Sequence, residues 1–343
     1  MKETKLQWAD SLRALTTIAV IILHVTAPLL TSMESLTDWW IGNIIESLVR
    51  FSVPVFFMLT GALLFDKEYS ISIFLKKRFF RVVIPFIFWS IPYILFSLTL
   101  KVMHKEHLDY FQVFTFIIDQ FKNGSSYHLW FVYTLLGIYL FTPIISKWIR
   151  SSTNKEILYF LIIWLITVLF TYPILSIFET KVDLSYFNGF LGYTILGYYL
   201  RKVNFESTRK KDSIAIFLFF PGLIITIAGT YFLFILKGEK DELYYSYLTF
   251  NVLMCAIGVY LYVKDKYVKN QFILKFLNLI NRFSYGIYLV HVLILIFLTK
   301  AGITCFFIHP LIGIPATTIL CLTFSVLIIY IVNKLPYGKY ISG

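Results

Sequence analysis

The residues able to do chemistry in this chain are few and are set in long apolar runs. In "SLRALTTIAVIILHV", residues 11–25, an arginine opens the run and one histidine, His24, follows eleven positions after Arg13. A neutral imidazole titrates near physiological pH, so His24 is a candidate general base. Glu46 and Arg50 stand four apart with the glutamate first, an order that suits an ion pair on one helix face. They would either lock two helices together or serve the same reaction as His24, with Glu46 orienting the imidazole and Arg50 stabilising developing negative charge. "FLKKRFFRVVIP" sets Arg78 and Arg81 three apart, after Lys77 and before Pro85. Guanidinium forks suit phosphate, so this stretch either holds a phosphorylated ligand or anchors the chain on anionic lipid. "SSYHLWFVYTLLG" offers His128 and Trp130 as interfacial anchors or as the lining of an outward vestibule, and "NRFSYGIYLVHVLI" offers His291. His104 and His107 make a weak metal pair without an evident third ligand, and no metal site is expected.

These groups need elements to carry them, and composition says which. The chain has 343 residues, 58% of them hydrophobic and 15% charged, and a mean hydropathy of +0.76. Soluble domains are about half apolar and a quarter charged, so a soluble globule is excluded. The expectation is an all-α polytopic membrane bundle, residues 1–343 forming one membrane-embedded domain. Ten spans are predicted at 12–31, 42–65, 82–103, 128–147, 157–178, 185–201, 213–236, 244–263, 283–300 and 311–333. The first is read as a retained span, because no small-residue cleavage site follows it. Cys255, Cys305 and Cys321 sit in or beside apolar stretches and read as small core residues.

The formal charge of +12 invites a nucleic-acid reading, but its distribution opposes one. Of the 31 Lys and Arg residues, 23 fall in the N-terminus, alternate loops and tail, 7 fall on the other side, and Arg50 lies within a span. The positive-inside rule therefore puts both termini in the cytoplasm. With that orientation His24 lies about 10 Å below the outer face, Glu46 about 6 Å and Arg50 about 12 Å. His291 lies about 13 Å from the inner face. Arg13, about 16 Å along the helix from His24, belongs at the cytoplasmic door or beside Asp10.

In order along the chain, Arg13 with His24, Arg78 with Arg81, and Ser284, Tyr285, Tyr288 with His291 resemble the motifs of the acyltransferase-3 family of integral-membrane O-acyltransferases. The pieces "RFSVPVFFMLTGALLF" and "YHLWFVYTLLGIYLFTP" extend the resemblance over nearly the full length, and look closest to the bacterial branch that acetylates enterobacterial common antigen. The resemblance implies acetyl-CoA as cytoplasmic donor substrate, with no tightly bound cofactor. It implies a surface glycan or lipid-linked oligosaccharide as acceptor on the outer side of a bacterial inner membrane. His24, Glu46 and Arg50 would be the catalytic group. Arg13, Lys77, Arg78 and Arg81 would hold the donor, and His128, Trp130, Ser284, Tyr288 and His291 the acceptor. The lipid bilayer is the expected surrounding and nucleic acid is no partner. The competing class is a polysaccharide transporter or flippase, since a ten-span bundle with a charged core also describes an export path.

Overall fold

The computed structural model describes residues 6–32, 35–104, 109–239 and 241–343. Lys2, Lys5, Lys105, His107 and Lys240, which enter the charge count and the histidine pair above, lie outside them. Within the described residues all the regular structure is helical. Numbering only helices of eight residues or more, these are α1 (Gln7–Thr26), α2 (Leu36–Val49), α3 (Ser52–Leu64), α4 (Ile71–Arg78) and α5 (Ile84–Met103). They continue with α6 (Tyr110–Asn123), α7 (Trp130–Ser151), α8 (Asn154–Leu169) and α9 (Leu191–Lys202). The last are α10 (Thr208–Lys237), α11 (Phe250–Val263), α12 (Gln271–Lys300) and α13 (Pro310–Lys334). Among the described residues, eight continuous or kinked segments are long and apolar enough to cross a membrane. The protein is a polytopic helical membrane protein.

Helix α1 is the centre of the bundle. Trp8, Ala9, Leu12, Ala14, Val20 and Ile21 are buried along it, and it packs against α2, α3, α11, α12 and α13. Leu23 of α1 packs with Val49 of α2, which brings the levels of His24 and Arg50 together as the depth argument expects. By contrast α10 turns Phe217, Phe220, Ile224, Phe232 and Ile235 outward, the apolar exterior that lipid requires.

Two expected spans are shorter than the sequence predicts. Helix α8 has 16 residues and α9 has 12, about 24 Å and 18 Å long against a hydrocarbon core of about 30 Å. Yet α9 runs from Phe190, ringed with Trp130 at the start of α7, to Arg201, which bonds Asp66 at 2.9 Å just past α3. Close backbone approach holds it there. A Cβ on Gly61 would meet the Thr194 carbonyl oxygen at 1.8 Å, and one on Gly197 would meet that of Met58 at 2.0 Å. Only glycine permits that contact.

Proline and cap chemistry set the remaining boundaries. Pro54 has no N–H for the Arg50 carbonyl, so the second span breaks into α2 and α3 at Arg50. Pro85 likewise leaves the Arg81 carbonyl without its helical partner, and residues Phe79–Val83 form a π turn between α4 and α5. Asn270 caps α12 through the N–H groups of Phe272 and Ile273. That helix therefore starts twelve residues before the predicted 283, and Arg282, expected in a loop, lies within it. The segment before His128 contains α6, opened by an Asp109–Gln112 capping box.

Candidate functional site

The first cluster assembles where α1, the entry to α7 and α12 meet. His24 comes from the fifth turn of α1, His128 from a short 3-10 turn before α7, and His291 from the middle of α12. Ring centroids lie 5.2 Å apart for His24–His291, 5.0 Å for His128–His291 and 6.3 Å for His24–His128. Tyr127 stands 5.3 Å from His24, and Tyr93 stands 5.5 Å from His128.

Hydrogen bonds assign part of the proton inventory. His291 Nδ1 lies 2.6 Å from the carbonyl oxygen of Tyr288. A carbonyl only accepts, so Nδ1 carries the proton and a neutral His291 keeps its lone pair on Nε2. That Nε2 is buried without a hydrogen-bond partner among the described residues, and so is Nε2 of His128. His128 Nδ1 meets Ser126 Oγ at 3.0 Å. His24 is the more open of the three, partly exposed where the other two are buried. Two tyrosines brace the cluster: Tyr288 donates its hydroxyl to the His128 carbonyl, and Tyr93 donates to the Leu289 carbonyl at 2.8 Å.

Glu46 and Arg50 do form the pair expected from their spacing, at 2.8 Å and deep in the protein. Arg50 Nε also donates to the Tyr245 carbonyl at 2.5 Å, and its guanidinium lies 5.0 and 4.6 Å from the ring centroids of Tyr245 and Tyr247. Tyr247 stacks on Trp130 at 5.8 Å, so Arg50 and Trp130 share one aromatic wall. The Glu46 carboxylate engages Arg50, and the rings beside His24 are those of His291, His128 and Tyr127.

The second feature is a cavity of about 740 Å³ at the end of the bundle that gathers the basic loops. Arg13, Lys77, Arg78 and Arg81 line it, joined by Lys67, Arg201 and Arg282, while Asp10 is the one acidic side chain that lines it among the described residues. The Arg78 guanidinium packs on Phe74 and Tyr139 at 5.2 and 5.0 Å, and its Nε is buried without a hydrogen-bond partner among the described residues. A planar cation held on rings with an unspent donor suits a phosphate oxygen. Lys77 lies over Tyr69 at 5.8 Å. Arg13 donates to Asn281 Oδ1 at 3.2 Å, and Asn281 donates to Asp10 at 2.9 Å. Arg13 thus lines the cavity and meets Asp10 through a bridging amide.

The cavity ends among Phe56, Phe131, Leu135 and Tyr288. Ser284 and Tyr285 line it too, and Tyr285 donates to the Val82 carbonyl at 2.9 Å within the π turn. Ser284 and Tyr288, expected on the acceptor side, therefore face the basic cavity, whereas His291 belongs to the histidine cluster. Sequence reasoning did not single out Asn281, Tyr139, Tyr93 or Tyr247. Asn281 and Tyr127 sit inside the quoted "NRFSY" and "SSYHLWF", where adjacency to Arg282 and His128 was the available signal.

Against known proteins, a family model describing an acyltransferase domain, that of the acyltransferase-3 family, matches residues 6–330. No curated protein and no solved structure matches the chain. A match over so much of the sequence, on a helical bundle with a basic cavity beneath an imidazole cluster, establishes that the chain belongs to the acyltransferase-3 family of membrane O-acyltransferases.

Proposed function

We propose that the protein transfers an acetyl group from cytoplasmic acetyl-CoA to a hydroxyl of a cell-surface or lipid-linked polysaccharide on the outer side of a bacterial inner membrane. The observation that carries this reading is that the basic cavity ends one helical turn short of the histidines. Phe131 follows His128 by three residues and Tyr288 precedes His291 by three, and both line the cavity. A donor whose phosphates sit on Arg78, Arg81, Lys77 and Arg13 would direct its thioester toward that end.

The chemistry then needs a base and a charge stabiliser. The acceptor oxygen bonds to the thioester carbonyl carbon and the C–S bond breaks. The hydroxyl proton passes to His24 and from it to the departing thiolate, which leaves as free CoA thiol. His24 suits the base because it is the most open of the three imidazoles. His291 and His128 fix its surroundings, and Arg50, held by Glu46 and two tyrosines, supplies a fixed positive charge on the acceptor side. His128 and Trp130 lie on the path of the incoming sugar. Enterobacterial common antigen is the first acceptor to try, on the resemblance of the "YHLWF" and "SVPVFFMLTG" pieces.

The test is purified protein in liposomes with labelled acetyl-CoA and candidate glycans. Label appearing as a base-labile ester on glycan is the expected result. Movement of unmodified glycan across the bilayer without label transfer would instead support a transporter.

A further inference from the structure

The two halves of the site do not run into each other; aromatic rings stand between them. Phe131 and Tyr288 each expose 8% of their surface, and their ring centroids lie 5.3 Å apart. Tyr288 is 5.5 Å from His128 and 5.8 Å from His291 on one side, and lines the basic cavity on the other. Its hydroxyl is anchored on the His128 carbonyl, and its ring stacks on Tyr285 at 6.5 Å. Phe131 is backed by Phe57 at 4.9 Å and Phe56 at 5.9 Å. The seam is thus bounded by one tethered ring and one ring held by packing alone.

We propose that Phe131 is the acyl-length selector of this transferase, closing with Tyr288 a seam that admits a two-carbon acyl group and excludes longer chains. The inference rests on the donor-cavity reading above. An acetyl group places a single methyl beyond its carbonyl. Each further methylene must displace a ring already in contact with other rings, and packed interiors resist such insertion. One methylene in a closely fitting apolar pocket is worth about tenfold to two-hundredfold in kcat/KM. Phe131 is the adjustable partner, because Tyr288 is hydrogen-bonded to the histidine turn and Phe131 has no polar tether. The same seam keeps the cytoplasmic cavity apart from the outer acceptor route when no acyl group occupies it.

The experiment compares acetyl-, butyryl- and hexanoyl-CoA as donors for the reconstituted wild type, Phe131→Ala and Phe131→Leu, reading the ratio of kcat/KM for butyryl to acetyl. The wild type is expected to use butyryl-CoA at least about tenfold less well than acetyl-CoA. Phe131→Ala should raise the ratio about tenfold or more, and Phe131→Leu, which keeps an apolar filler and guards against misfolding of the alanine variant, should raise it by less. A ratio equal to that of the wild type in both variants overturns the proposal, as does a wild type that accepts butyryl as readily as acetyl. A wild type that transfers no acyl group from any of the three donors sinks the donor reading itself, a distinct outcome. A purely structural role for Phe131 would lower all three rates together and leave the ratio unmoved.

Discussion

At the scale of single residues, the main finding is that three imidazoles more than a hundred positions apart in sequence meet in one cluster, and that hydrogen bonding defines one of them. With the His291 Nδ1 proton given to the Tyr288 carbonyl, only Nε2 can take part in proton movement in its neutral form. His24→Ala should lower kcat by about a hundredfold to ten-thousandfold, the usual contribution of a positioned base. Donor affinity should stay near that of the wild type, because His24 does not line the cavity. Steady-state kinetics in liposomes, with detergent size exclusion to verify folding, decides this, and retained turnover in a folded variant removes His24 from the base role. His291→Gln tests the cluster as a unit. If the imidazoles act together, the His24→Ala/His291→Gln double variant should lose little more than the worse single variant, since groups acting as one unit are strongly non-additive. Additive losses would instead assign the two histidines to separate steps.

The element scale explains why the sequence located the groups and not their arrangement. Glu46 and Arg50 were legible as a pair because i,i+4 spacing is a local property of one helix. The meeting of His24, His128 and His291 was not, because it depends on which helices pack on α1. Helix α12 began earlier than expected because its first turns, "QFILKFLNLINR", carry Lys and Arg among the apolar residues and look like a loop to a hydropathy window. The close seating of α9 on α3 was not legible, because it depends on two glycines, Gly61 and Gly197, on different helices. Gly61→Leu should therefore force α3 and α9 apart and abolish monodisperse protein in detergent, whereas substitution at lipid-facing Phe217 should not. The π turn is a second device at this scale, since it sits between Arg78 and α5 at the cavity mouth. Arg78→Ala should raise KM for acetyl-CoA about tenfold to a hundredfold with a smaller change in kcat. Arg78→Lys should recover little of it, because an ammonium lacks the planar fork that packs on Phe74 and Tyr139. Full rescue by lysine would reduce the site to simple charge.

For the whole molecule, the distribution of charge and the direction of the cavity make one argument. The basic loops gather at one end of the bundle: Arg150 reaches the carbonyls of Phe65 and Lys67, Arg201 and Lys202 reach Asp66, and the cavity opens among residues from the N-terminal helix and three of those loops or their flanks. By the positive-inside rule that end is the one expected to face the cytoplasm. Because α8 and α9 lie between α7, which ends at the basic end, and α10, which starts there, their shortness leaves this orientation unchanged. Donor use should accordingly be sided. In proteoliposomes sorted by orientation, molecules with the basic end outward should acetylate acceptor as soon as acetyl-CoA is added to the medium. Those with it inward should stay silent until the donor is trapped inside or the bilayer is permeabilised. Raising salt should weaken donor use in the first population, because several cavity cations act on phosphate through screened charge. Labelled acetyl incorporation measured before and after permeabilisation distinguishes the cases. Equal use of external acetyl-CoA by both orientations would mean that the basic cavity is not the donor's entrance.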